Sequence, residues 1–236
     1  MIEIQDNSIQ EILSLRLFGS VARADSDVNS DLDVLAVLPS DRPLSSDLKC
    51  TVERLFDQNA SISWYSRRRI EEMFNEGHLF AWHLFNESLP LIPDFIEGLG
   101  QPRNYEEAVA DVESLIEILI PIPTQLDNCA GNAVYEAGLL FLCMRNIALS
   151  ASWFSPTGLD FTRHSPFNTE RTLGINFPIT RKDYDVLIKC RLSGQRGFSS
   201  PKISSKDVCA LQCQALRWAS EVKLFIGGQL NNENRR

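Results

Sequence analysis

The chain has 236 residues, 44% of them hydrophobic and 23% charged, with a formal net charge of −8. This length supports a sizeable core in one large domain or two small ones, so no disulfide or metal staple is required for stability. The charge is uneven: residues 1–100 hold 8 Lys/Arg against 17 Asp/Glu, and the remainder is +1. This argues against a long nucleic-acid footprint, which needs clustered cations, and suits metal ions or a cationic acceptor.

In chain order, Ser8 is placed to cap a short helix over 7–16, and alternating Leu13, Leu15 and Leu17 lead into a strand ending at Phe18. Gly19-Ser20 stops that strand, and 20–25 reads as the first turn of a helix. A second strand runs from Asp31 to Leu38 and ends at Pro39. Leu44, Leu48, Val52, Leu55 and Phe56 give helical spacing over 44–58, and the alternation in ASISWYS predicts a third strand over 60–66. Helices are expected over 67–76 and 78–87, then a short strand at 89–92.

A Pro- and Gly-rich break at 92–104 separates an expected domain over 1–98 from a second over 104–230, with a disordered tail at 231–236. The second domain reads as helical: an amphipathic helix over 105–120, a long buried one over 126–152, and others over 181–192 and 205–227. Residues 153–178 have no period, and so long a connection inside a compact domain is more often functional.

The run LFGSVARADSDVNSDLDVLAVL (17–38) carries the chemistry. Asp31 and Asp33 interrupt an apolar strand, where an ion loses hydration. Residues two apart on a strand share a face, so the two carboxylates project together. Paired carboxylate oxygens suit a hard divalent cation, and two such ions can clamp the attacking and leaving oxygens of a phosphoryl transfer. Gly19 lets the backbone approach a ligand, Ser20 adds a hydroxyl, and N–H groups at the following helix start attract phosphate. Arg23, one turn on, is placed to reach a phosphate or to pair with a nearby acid such as Asp27.

Gly19-Ser20, ten residues, then Asp31-Leu32-Asp33 resembles the signature of the nucleotidyltransferases related to DNA polymerase beta. The run is most similar to their small bacterial branch, which includes kanamycin nucleotidyltransferase, aminoglycoside adenylyltransferases and minimal nucleotidyltransferases. The resemblance implies an α+β fold in which a small mixed sheet with flanking helices is followed by a helical bundle that completes the acceptor site. It implies that Asp31 and Asp33 bind two Mg²⁺ ions, that Gly19 and Ser20 hold the triphosphate of an NTP, ATP in the first instance, and that an NMP passes to an acceptor hydroxyl. A small molecule or a protein side chain fits the acidic N-terminal half better than RNA. The expected alternative is a degenerate member that binds nucleotide as a regulatory module in a toxin–antitoxin or antiphage system.

The sequence departs from that pattern in two places. Ala24 stands where the family commonly has Gly. The family's third carboxylate is missing from the third strand, which offers Ser61 and Ser63 instead. Asp57, Glu71, Glu72 and Glu87 lie nearby in sequence without an assigned face, and Glu136, isolated on an apolar helix, is a candidate from the second domain.

Arg163, His164, Arg171, Lys182, Arg196 and Lys202 are placed either to close over phosphates or acceptor or, as the default for each, to be solvated; Arg196 and Lys202, in a Gly/Ser-rich connection, are kept as weak candidates for phosphate contact. Arg145-Asn146 begins like the active-site motif of HEPN helical ribonucleases, but Ser150 and Ala151 follow where a His is needed, so no such site is expected. Arg67-Arg68-Arg69 reads as a solvated helix start, and His78 and His83 as part of a helix packed on the sheet. The six cysteines, without a Cys-x-x-Cys, read as small buried apolar residues. No apolar run reaches the roughly 18 residues of a membrane span and the N-terminus has no basic-then-apolar signal pattern, so the expected place is the cytoplasm, with no membrane partner. A homodimer is compatible with this reading.

Overall fold

A computed structural model describes residues 11–26, 30–56, 60–92, 95–196, 199 and 201–233. The chain divides into two compact units, Met1–Glu106 and Glu107–Arg236. The architecture is α+β: a small mixed sheet with helices, then a run of helices.

The first unit contains β1 (Ser14–Phe18), α1 (Gly19–Ala22), β2 (Leu32–Leu38), α2 (Ser46–Glu53) and β3 (Ala60–Ser66), followed by α3 (Arg67–Glu76), α4 (Leu79–Glu87) and β4 (Leu89–Pro90). Among the described residues the sheet runs β3-β2-β1-β4. β1 is antiparallel to β2 and β4, whereas β2 and β3 are parallel. Both faces of β2 are covered, which is why its sequence is nearly continuously apolar. Leu35 and Val37 pack with Phe18 against Ile70, Met73 and Phe74 of α3 and Ala81 and Leu84 of α4. Val34 and Ala36 pack on the other face with Leu15, Leu48 and Val52.

Several expected boundaries shift. The helix over 7–16 fails at its C-terminal end, because Ser14 already pairs with Val37; residues 1–10 lie outside the described set. Cross-strand pairing outweighs the weak local helical signal there. β2 begins at Leu32, leaving Asp31 just before the strand. α2 is shorter than 44–58 because Ser45 caps it, its hydroxyl accepting from Leu48 N at 3.2 Å. His78 caps α4, its Nδ1 accepting from Phe80 N at 3.1 Å.

The second unit contains α5 (Ala108–Leu119), α6 (Ile122–Asn128), α7 (Ala133–Ala151), α8 (Thr169–Leu173), α9 (Arg181–Arg196) and α10 (Ser205–Glu233). Leu140, Met144 and Ile147 of α7, Tyr184 and Leu187 of α9, and Trp218 and Val222 of α10 form its core. The helix expected over 126–152 is divided, because Cys129 is extended (φ −153°, ψ 93°) between α6 and α7. α10 reaches Glu233, three residues into the stretch expected as a tail. Ala130–Phe154 is long and apolar enough to cross a membrane by composition, but 67% of its 18-residue window is buried inside the fold.

The aperiodic stretch 153–178 is a packed strap rather than an open loop. Asp160 accepts from Thr162 N, Thr162 Oγ1 and Asn168 Nδ2 at 2.6–3.0 Å. Arg145 Nη2 donates to Phe161 O at 2.8 Å, and Phe167 and Phe177 stand edge-on to Tyr184. Arg145 is therefore a structural clamp on this strap.

The uniform reading of the cysteines as buried is corrected. Cys143 and Cys190 are buried, but Cys50, Cys129 and Cys213 are exposed. Burial pushes the Cys143 thiol up to about 12 and that of Cys190 to about 11, which keeps both protonated and inert.

Candidate active site

The two ends of the motif meet through strand register. Phe18, the last residue of β1, lies opposite Asp33 of β2. Gly19 follows at φ +75°, and a Cβ there would overlap the Asp33 carboxylate. Only a glycine therefore lets the turn close over this acid. Asp33 shares its face with Leu35 and Val37, the face covered by α3 and α4, and it sits half-buried at the end of the sheet. Asp31, two residues earlier, is also half-buried. The structure thus brings Gly19, Ser20 and Asp33 to one corner of the sheet, with Asp31 at the entry to the strand.

Arg23 closes α1 but does not point free into solvent. Its Nη1 donates to Glu87 Oε2 at 2.8 Å, and its Nε to Asp25 Oδ2 at 3.2 Å. His83 Nε2 lies 2.9 Å from the same Glu87 oxygen, and its ring meets Phe18 edge-on at 5.5 Å. Burial alone raises the Glu87 carboxyl, but His83 and Arg23 outweigh it and hold the group below the usual carboxylate range. Arg16, buried on β1, donates to Ser88 Oγ at 2.8 Å and to Ser88 O at 3.1 Å, fixing the end of α4 that carries Glu87.

The partner anticipated for Arg23, Asp27, lies outside the described residues; Asp25 and Glu87 fill that role. The sequence does hold a signal for the His83–Glu87 pair, since the two are four apart on one helix face. Nothing local signals the link to Arg23, which spans 64 residues.

The position beside Asp33 on the neighbouring strand is Ser61, the Cα partner of Asp33 across the parallel pair. Among the described residues no group of three His, Cys, Asp or Glu side chains is arranged to hold a metal ion. Asp31 and Asp33 nevertheless fit a hard divalent cation, because such an ion keeps several waters and takes further oxygens from substrate phosphates. Glu71 and Glu72 are engaged by Arg67, Arg68 and Arg69 on α3, and Asp57 lies outside the described residues.

Of the remaining candidates, Lys202, Arg171 and Lys182 are exposed in the helical unit. The side chain of Arg196 lies outside the described residues. Glu136 is buried at 4% exposure in the first turn of α7, and burial raises its carboxyl above the ordinary value.

The profile of the nucleotidyltransferase domain family matches residues 3–119. This stretch is a nucleotidyltransferase domain, and it contains both halves of the motif. Among curated proteins, none matches the chain. The class carries the general reaction, transfer of a nucleoside monophosphate from a nucleoside triphosphate, with a divalent metal used across the family.

Proposed function

We propose that the protein transfers AMP from ATP to an acceptor hydroxyl, releasing pyrophosphate. The supporting observation is the closure of the Gly19 turn over Asp33. That closure sets a carboxylate, a hard oxygen donor suited to a divalent cation, directly against the backbone of the Gly19-Ser20 turn. In this reading Asp31 and Asp33 hold Mg²⁺. The bound ion neutralises phosphate charge and aligns the pyrophosphate leaving group. Gly19 keeps the backbone close to the β- and γ-phosphates, and the Ser20 hydroxyl donates to them. Arg23 adds a fixed positive charge one turn on. Positioning and charge neutralisation supply most of the rate enhancement.

Arg196 and Lys202 are auxiliary phosphate contacts in this proposal. The acceptor is a small molecule or a protein side chain, since the N-terminal half is too acidic to hold an RNA backbone. The proposed setting is the cytoplasm, and Asp31 and Asp33 would be the protein's donors to the two ions expected of the family.

One observation favours a second reading, that of a module which binds nucleotide without turnover. Ser61 occupies the place beside Asp33 where an acid would activate the acceptor, and no three-carboxylate cluster stands in its stead among the described residues. One assay separates the two. The four α-labelled NTPs are incubated with Mg²⁺ or Mn²⁺ and with the protein itself, a small-molecule hydroxyl panel, and cell protein and RNA extracts. Label entering one pool, and lost in an Asp31→Ala, Asp33→Ala variant, is the expected result. Metal-dependent NTP binding with no label in any pool supports the module and overturns the transferase.

A further inference from the structure

Arg23 is held by two acids of different character. Glu87 belongs to α4, and its ion pair with Nη1 is nearly withdrawn from solvent, with side-chain exposures of 16% and 15%. His83 shares the same Glu87 oxygen, and Arg16 anchors the helix end behind it. Asp25 is two residues from Arg23 in sequence, 42% exposed, and its contact is longer at 3.2 Å. An exposed local pair of this kind is worth little, because water competes for both ions. A shielded pair anchored by neighbouring side chains is not exchanged so readily. The guanidinium is planar with five N–H donors, so one edge can stay on Glu87 while another changes partner. Ser20 lies three residues before Arg23, on the same side of that turn.

We propose that Asp25 is a placeholder anion: when a triphosphate binds, Arg23 keeps Glu87 and exchanges Asp25 for a phosphate oxygen. Glu87 is then the positioning residue of the phosphate turn, and Asp25 is the competitor of its ligand. This rests on the nucleoside triphosphate reading above. It assigns opposite roles to two carboxylates on one arginine, which a purely structural network does not.

The test is the affinity for each NTP and for inorganic tripolyphosphate, both with Mg²⁺, measured by titration calorimetry. Asp25→Asn is expected to tighten binding roughly threefold, the worth of an exposed ion pair. Glu87→Gln, with folding checked by circular dichroism, is expected to weaken it about tenfold, on the scale of a charge-assisted hydrogen bond. In the Glu87→Gln background, Asp25→Asn no longer tightens binding, since the guanidinium is no longer aimed. Asp41→Asn removes the same charge from an exposed acid that pairs with Arg68, and it is expected to leave affinity unchanged. Should Glu87→Gln fail to fold, the contrast between Asp25→Asn and Asp41→Asn decides the matter alone. Equal effects of those two variants, or weaker binding by Asp25→Asn, overturn the placeholder and leave the nucleotide reading standing. A wild-type protein that binds neither NTP nor tripolyphosphate overturns both.

Discussion

Ala24 adopts φ +59°, a left-handed conformation that costs an L-residue about 1–2 kcal/mol and costs glycine almost nothing. The departure from the family's glycine is therefore a backbone strain just after the Gly19-Ser20 turn. Ala24→Gly is expected to raise stability by about 1 kcal/mol, read as a higher denaturation midpoint. Gly19→Ala is expected to do the reverse, since its Cβ overlaps Asp33 and its φ is +75°; the midpoint falls and triphosphate binding is lost. Glu87 carries a pH signature. Its folded pKa lies below the unfolded value, so it contributes stability above the unfolded pKa and loses it as pH falls through the folded one. Glu87→Gln should cost about 2 kcal/mol at pH 7, less than a fully buried pair because some solvent reaches both groups. That difference from wild type should close as pH falls below about 4, where the ordinary carboxyl titrates. Glu136 has the opposite sign. Its pKa is raised, so its charged form is penalised at neutral pH, and Glu136→Gln should stabilise the protein at pH 7 but not near pH 4. Thermal melts across that range check both. Gly19, Ser20, Asp31 and Asp33 stand out in the sequence because a short local motif carries the proposal made for them. Asp25 and Glu87 were not, because their meaning is a shared partner.

At the scale of elements, period and punctuation located the strand at 60–66 and the helix at 67–76 without a shift, since each is bounded by a strong local signal. The serine at 66 caps the helix by accepting from Arg69 N at 3.2 Å. Three arginines then open that helix, against its dipole, and carboxylates compensate them: Glu71, Glu72 and Glu76 on the helix and Asp41 outside it. Boundaries failed where tertiary pairing outweighs local preference, as at Ser14, or where one extended residue divides an apolar stretch, as at Cys129. The crossing of α7 and α9 depends on a glycine. A Cβ on Gly138 would lie 3.0 Å from Arg191 Cα and 3.1 Å from its N. Gly138→Ala is expected to force those helices apart and lower the stability of the helical unit by about 1–3 kcal/mol, as overpacking does. A chemical melt followed by far-ultraviolet circular dichroism reads that loss.

At the scale of the whole chain, each of the two units holds its own core, so calorimetry is expected to resolve two transitions. A Mg²⁺–NTP complex should raise the midpoint of the transition belonging to the sheet unit, since ligand binding stabilises the state that binds it. By itself the sequence pointed to the nucleotidyltransferase domain family, through the resemblance carried by a Gly-Ser turn and two aspartates ten residues on. It also pointed to the fold class, because strands and helices alternate before the Pro- and Gly-rich break at 92–104 and only helical patterns follow it. Only the tertiary structure decided what Arg23 touches, that Ser61 stands beside Asp33, and that the stretch 153–178 is a packed strap. The reason is physical. Periodicity and turn chemistry act between residues a few positions apart. Ion pairs and strand register join residues tens of positions apart, and nothing in a local pattern encodes which of many distant partners the folded chain will bring within reach.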